Sequence, residues 1–292
     1  MEDVVMAELD GFSYKNGFYH DMDFDAYKAV GALNGSSLVH LRRSPMYFKW
    51  MRDHPQPSTP AMVLGTATHR MILEHDRVDD FVVWGEEVDQ KVRRGKVWDQ
   101  FQADHADKMI VTKGERDAMV GMSVGARRNA PIRKYADAKG KSEVSMFWVD
   151  KATGRRFKGR ADKILDSGDA IFDLKTCRSC QRYKFGAQAY QLGYHIKMAI
   201  YWMGYKAITG KEPHMILGAI ESTAPYESAV YRVTKDIILQ GLEEMDTLLK
   251  TLAECEKDDR WPAAEEVETD LVLPTWATTE QDGDLEIEGL EF

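Results

Sequence analysis

Three strand-like runs follow one another between residues 143 and 174 with no room for a helix between them, and this constrains the fold more than any other feature of the chain. Residues 143–149 are rich in β-branched and aromatic side chains, and 156–164 and 170–174 are two further candidate strands. A Thr-Gly turn at 153–154 separates the first two and a Gly-containing turn at 165–169 the next two. Strands joined by turns this short can only pair antiparallel, so a meander is expected. A long helical pattern at 183–209 follows, then two further strands at 215–222 and 228–233. The chain next enters a helix at 235–257, where Ile237, Ile238, Leu242, Met245, Leu248, Leu249 and Leu252 recur at helical spacing. This order predicts an α/β core with a central mixed sheet and additional N-terminal helices.

Ahead of the meander, residues 1–30 carry scattered aromatics (Phe12, Tyr14, Phe18, Tyr19, Phe24, Tyr27) without a clean period and read as an irregular arm packed on the body. Asn34-Gly35-Ser36-Ser37 looks like a capped helix start, and Ser44-Pro45 like the break before a second helix with Tyr47, Phe48 and Trp50. After a proline-marked loop, residues 61–74 form a helical pattern containing His69, with Gly65, Thr66 and Ala67 expected to let another backbone approach. Charge-rich helices are expected near 97–109 and 113–129, and no internal repeat is evident. Residues 31–253 make one domain on this reading, and 254–292 an acidic tail, extended and partly docked through Trp261 and Trp276.

The net charge is −9, but it is concentrated: from Glu254 to Phe292, 14 acidic residues face only Lys257 and Arg260. Residues 1–253 carry 37 Lys and Arg against 34 Asp and Glu, so the body is slightly basic and a nucleic acid partner is permitted. No apolar run is long enough to span a membrane, and the first residues, MEDVVMAELDGF, show neither a basic leader nor an apolar stretch. A cytoplasmic location without membrane attachment is expected. Cys177, Cys180 and Cys255 are too few for a disulfide framework or, alone, for a four-cysteine metal site, and read as ordinary thiols.

The stretch Lys158-Gly-Arg-Ala-Asp162 and, after a turn, Asp173-Leu-Lys175-Thr176 carries the chemistry. Asp173 and Lys175 are two apart on one strand and share a face, and a hairpin can bring Asp162 beside them. Two carboxylates with an ammonium suit a hard divalent cation such as Mg²⁺ or Mn²⁺, which lowers the pKa of bound water and neutralises charge on a phosphate. Lys175 is placed to orient that water or to stabilise the developing oxyanion. An Asp-x-Lys on a strand is more often a surface ion pair, but the apolar Ala170-Ile171-Phe172 before it argues for an interior strand.

With these residues in view, the chain resembles the PD-(D/E)XK nuclease superfamily and, within it, the phage and prophage exodeoxyribonuclease VIII (RecE-like) group. The resemblance spans residues 33–276: Asn34-Gly-Ser-Ser-Leu38 with Arg43-Ser-Pro45, Gly65-Thr-Ala-Thr-His69, Ser142-Glu143, Lys158-Gly-Arg-Ala-Asp162, Asp173-Leu-Lys-Thr176, Tyr194-His-Ile-Lys-Met-Ala-Ile-Tyr201 and Leu273-Pro-Thr-Trp276. It implies a restriction-endonuclease-like core in which His69, Asp162, Asp173 and the Leu174 carbonyl hold the metal and Lys175 is catalytic. Glu143 stands where many relatives have an acidic residue, and either shares in catalysis or pairs with Arg160 or Arg156. RecB-like nucleases usually carry Gln-x-x-x-Tyr on the helix after the lysine strand; here Lys197 replaces the glutamine and Tyr201 is kept. A lysine four residues from the tyrosine still shares its helix face, so Lys197, Tyr201 and Arg160 are the candidate DNA contacts.

What the resemblance implies is a Mg²⁺-dependent exonuclease that degrades linear double-stranded DNA 5′ to 3′ and leaves 3′ overhangs for phage-type recombination. A single-strand annealing partner and a homo-oligomeric ring follow from the same source, as does a phage or prophage origin in a bacterial host. The alternatives are an endonuclease or Cas4-like end-processing enzyme, and a catalytically weak DNA-end binding protein on the same fold.

Overall fold

The computed structural model describes residues 14–57, 59–74, 81–86 and 92–272. In chain order the elements are β1 (Gly17–Tyr19), α1 (Phe24–Ala29), α2 (Gly35–Arg43), α3 (Pro45–Asp53), α4 (Pro60–Leu73), β2 (Phe81–Trp84), α5 (Lys96–Asp104), β3 (Met109–Thr112), α6 (Lys113–Arg128) and α7 (Ala130–Ala136). The meander follows as β4 (Gly140–Val149), β5 (Arg156–Leu165) and β6 (Ala170–Cys177), and the chain continues through α8 (Arg182–Gln191), α9 (Tyr194–Thr209), β7 (His214–Glu221), β8 (Ser228–Val233) and α10 (Lys235–Asp258).

The predicted α/β core with a mixed central sheet is present. Six strands run in the order β1-β4-β5-β6-β7-β8, antiparallel throughout except for the β6–β7 pair. That parallel pair needs a crossover, which α8 and α9 supply. On one face Trp148, Phe157, Ile171, Met198, Ile200, Leu249 and Leu252 form the main core beneath α2, α9 and α10. On the other, Phe172, Leu174, Ile216 and Ile220 pack against Met122, Ala126 and Ile132 of α6 and α7. Both faces of β6 are therefore covered, which makes it the interior strand that its apolar Ala170-Ile171-Phe172 predicted.

The helix starts follow their capping residues. Asn34 and Ser37 form a reciprocal capping box on α2, while Ser44 caps α3 at Tyr47 N–H with Pro45 in its first turn. The expected single helix over 183–209 is two helices, because Gly193 adopts φ +66° between α8 and α9. Residues 1–30 are not an irregular arm throughout: β1 adds to the free edge of β4, and Asp23 caps α1. The expected 97–109 helix ends at Asp104, and Met109–Thr112 forms a small parallel ladder with β2. A tail boundary at 254 falls inside α10. Beyond that helix, the Trp261 ring stacks on Phe48 with centroids 6.1 Å apart, so the start of the tail is docked on α3. Leu273-Pro-Thr-Trp276 and the Trp276 anchor lie outside the described residues. Among the described residues no helix is long and apolar enough to cross a membrane.

Candidate active site

A break in the sheet creates the site. The β4–β5 register pairs Ser142 with Lys163 and Val144 with Ala161, but no ladder pair forms between Glu143 and Asp162. Residues two apart on a regular strand share a face. Here Lys163 reaches the Ala136 carbonyl beside α7, whereas Ala161 lies in the main core on the opposite face. Likewise Ser142 reaches Leu73 O of α4 at 3.4 Å, whereas Met146 lies in the main core. The pleat therefore reverses at Glu143 and Asp162 on both strands, and Glu143 takes a left-handed φ of +52° there, a conformation that glutamate rarely adopts.

The β5–β6 ladder stops at the same place. Its register pairs are Lys163 with Phe172 and Ile164 with Ile171, so Asp162 and Asp173 face each other just past the last pair, where the strands part. The Asp162 carboxylate replaces the missing backbone partner by accepting the Leu174 N–H at 2.7 Å. His69, from α4, brings Nδ1 to 3.4 Å from the same oxygen. Gly65, one turn earlier on α4, faces Thr176, but an added Cβ would stand 3.7 Å from its Oγ1, an ordinary contact, so this position does not require glycine. Lys175 pairs with Asp173, lies 3.8 Å from Asp162 Oδ2 and donates to Leu174 O at 3.2 Å. The structure thus brings His69, Asp162, Asp173, Leu174 and Lys175 together.

The electrostatics are those of a cation site. Asp173 has no exposed surface, and among the described residues neither of its oxygens has a hydrogen-bond partner beyond its contact with the Lys175 ammonium. Burial foremost, then the neighbouring Asp162, pushes Asp173 up to about 6. Asp162 is also held at about 6, chiefly by burial, against the pull of Lys175. Burial disfavours the Lys175 ammonium as well, but Asp173 and Asp162 together outweigh it and keep that lysine above its ordinary range, so it stays charged. Burial lowers His69 to about 4, leaving a neutral imidazole able to ligate. One imidazole, a backbone carbonyl and two carboxylates, one of them the orphaned and fully buried Asp173, fit a divalent ion of the Mg²⁺ or Mn²⁺ type.

Helix α9 forms the opposite wall. The ammonium groups of Lys175 and Lys197 lie 5.8 and 5.6 Å from the centroid of the Tyr194 ring. Burial, and then Lys175, lowers Lys197 to about 8. An added Cβ on Gly35 would sit 2.6 Å from Lys197 Cγ and 3.0 Å from its Cα, so the Asn-Gly-Ser-Ser start of α2 is set by close packing on this lysine. Tyr201 lies over β5 at Gly159, where a Cβ would come within 2.9 Å of its ring. Burial, followed by the Asp173 charge, raises the Tyr201 hydroxyl well above its usual range, so it remains a donor.

Arg160 does not present a free guanidinium. Its Nε donates to Glu143 Oε2 at 2.8 Å, and another nitrogen donates to Met22 O at 2.9 Å and Ser145 Oγ at 3.3 Å. It holds Glu143 in place and ties the N-terminal segment to β5, beside a polar cleft of about 290 Å³ lined by Asp23, Arg70, Glu74 and Glu143. Of the two partners open to Glu143, Arg160 is the one observed. Lys158, at the start of the Lys158-Gly-Arg-Ala-Asp162 stretch, buries its ammonium, which donates to the carbonyls of Tyr27, Lys28 and Val30. A basic residue at alternate positions of β5 thus fastens α1 and the residues before it, a function with no local sequence signal.

Residues 35–269 match the family described as a PDDEXK-like domain of unknown function (DUF3799). The chain belongs to this PDDEXK-like family. Among solved structures, the fold is similar to a "putative exonuclease" from Eubacterium rectale, with a TM-score of 0.61, 14% identity, and 88% of this chain and 96% of that one covered. An alkaline exonuclease from Laribacter hongkongensis is also found, at 13% identity over 67% of this chain and 96% of that one, with a TM-score of 0.29. At these identities the first likeness shows the PDDEXK-like fold alone, and the second carries no argument. Among curated proteins no sequence relative is found.

Proposed function

We propose that this PDDEXK-like protein is a divalent-metal-dependent deoxyribonuclease that attacks the ends of linear double-stranded DNA. The observation that carries this reading is the convergence of His69, Asp162 and Leu174 O with the fully buried, orphaned Asp173 carboxylate beside a charged lysine. Such a set is costly to bury and is explained by a cation and a phosphate that balance it. A bound Mg²⁺ or Mn²⁺ would supply Lewis acidity and an activated water. Lys175, kept as the ammonium by Asp173 and Asp162 in the metal-free protein, orients the attacking water and offsets charge on the phosphate oxygens. Tyr201, held protonated, and Lys197, with no carboxylate paired to it among the described residues, contact the scissile or neighbouring phosphate from α9. Glu143, fixed by Arg160, adds negative charge at the metal side of the site.

The finer reading rests on the resemblance to RecE-like exonucleases: 5′-to-3′ degradation, 3′ overhangs for recombination, an annealing-protein partner and a homo-oligomeric ring around the duplex. The testing experiment incubates the pure protein with linear and closed circular forms of one plasmid, in Mg²⁺ or EDTA, with label at the 5′ or the 3′ ends. Loss of the linear form alone, in Mg²⁺ alone and with early release of the 5′ label, is the expected result. Linearised circles would establish an endonuclease, and binding without cleavage in Mg²⁺ a DNA-end binding protein.

A further inference from the structure

The far end of β6 holds a second group of ligating atoms that the nuclease site does not use. The sulfur of Cys180 and one carboxylate oxygen each from Glu221 and Glu227 lie within 4.8 Å of one another. Three segments bring them there. Cys177 ends β6 and is the register partner of Glu221 at the end of β7. The chain then turns through Arg178 and Ser179 to Cys180, whose N–H donates to Glu221 Oε1 at 2.8 Å. Glu227 returns from the β7–β8 loop, where its carbonyl accepts the Glu221 N–H at 2.8 Å. The Cys180 carbonyl is in turn held by the Tyr231 hydroxyl.

One feature points to a cation. Cys177 and Cys180 are 4% and 7% exposed, yet they are buried beside carboxylates that have no ion-pair partner among the described residues. Burial, then Cys180 and Glu221, pushes the Cys177 thiol up to about 12, and burial followed by Glu221 raises Cys180.

We propose that this group binds one Zn²⁺ ion through Cys180, Glu221 and Glu227, with Cys177 as the fourth ligand. Zinc takes sulfur at about 2.3 Å and carboxylate oxygen at about 2.0–2.2 Å in a tetrahedron, so the three atoms, within 4.8 Å of one another without the ion, would draw together around it. Cys177 lies outside the close trio, three residues before Cys180 and in register with Glu221, which makes it the nearest further cysteine to complete the set. Thiolate ligands select zinc over Mg²⁺, which keeps this site distinct from the oxygen-rich one. Each ion bound converts two S–H groups to thiolates and releases two protons to solvent. The ion clamps the end of β6, the strand of Asp173 and Lys175, to the β7–β8 loop. The proposal does not depend on the nuclease reading.

Co²⁺ titrated into the full-length, EDTA-dialysed protein is the probe. One equivalent should produce a sulfur-to-cobalt charge-transfer band and the visible bands of tetrahedral cobalt, bleached by one equivalent of Zn²⁺ and unaffected by excess Mg²⁺. Cys180→Ser should remove the charge-transfer band or weaken it strongly. Glu227→Gln, at an exposed position that spares the fold, should weaken Co²⁺ binding by about tenfold or more. The Asp162→Asn/Asp173→Asn double variant should keep the full signal. No thiolate band in the wild type, or a band indifferent to both Cys180→Ser and Glu227→Gln, would overturn the proposal, as would loss of the signal in the double aspartate variant.

Discussion

Asp173 concentrates the physical argument in one side chain. Burying a carboxylate costs several kcal/mol unless it is compensated, and among the described residues the direct compensation is the Lys175 ammonium. Because Asp162 and Asp173 are both raised to about 6, the folded metal-free protein holds protons that the unfolded chain releases near pH 4. Their contribution to stability is therefore present below the unfolded pKa and is lost as pH rises through about 6. A divalent ion needs both groups ionised. Melting curves should accordingly show Mg²⁺ or Mn²⁺ raising Tm clearly at about pH 7.5 and very little at about pH 5, and an equal gain at both would place the ion elsewhere. Lys197 makes a separate prediction. Lys197→Gln should lower DNA affinity at low salt and reduce the slope of log K against log salt by about one, with the turnover at saturating DNA little changed. An unchanged slope would remove Lys197 from the phosphate path.

At the scale of elements, packing distances decide. Gly159 on β5 admits the Tyr201 ring of α9, where a Cβ would fall at 2.9 Å. Gly159→Ala should destabilise the fold by about 1–3 kcal/mol in denaturant unfolding and depress activity. Gly114→Ala in the first turn of α6, where nothing lies within 4 Å, should be neutral or mildly stabilising and serves as the control. The same packing explains what was legible. The strands of the meander and the α10 stripe carry enough alternation or helical period to be read directly. β1, β2 and β3 span three or four residues each, too few for a period, and owe their pairing to neighbours distant in sequence. The Asp173-x-Lys175 spacing and its interior strand were readable from the residues. His69 needed the resemblance, because a helical histidine carries no local sign of its partner. The reversal of the pleat at Glu143 and the engagement of Arg160 by Glu143 and Met22 are products of tertiary register. The Cys180, Glu221 and Glu227 group was hidden for a like reason: counting cysteines alone leaves out carboxylates delivered by a distant loop.

For the whole molecule, the charge distribution sets access to DNA. The slightly basic body ends in α10 and a docked turn at Trp261, after which the sequence is strongly acidic. Removing the residues after Trp276 should leave specific activity at saturating DNA intact and tighten binding at low salt, the difference fading as salt rises. Unchanged binding at low salt would place the tail away from the DNA path. The central claim is that His69, Asp162, Asp173 and Lys175 form one metal-dependent phosphodiester site. It is tested most directly by following nucleotide release from linear duplex DNA in Mg²⁺ for the wild type, Asp173→Ala and Lys175→Ala, with DNA binding measured on the same preparations. The account predicts release by the wild type, loss of at least about a hundredfold in both variants and near-normal binding. Wild-type release by either variant would contradict it.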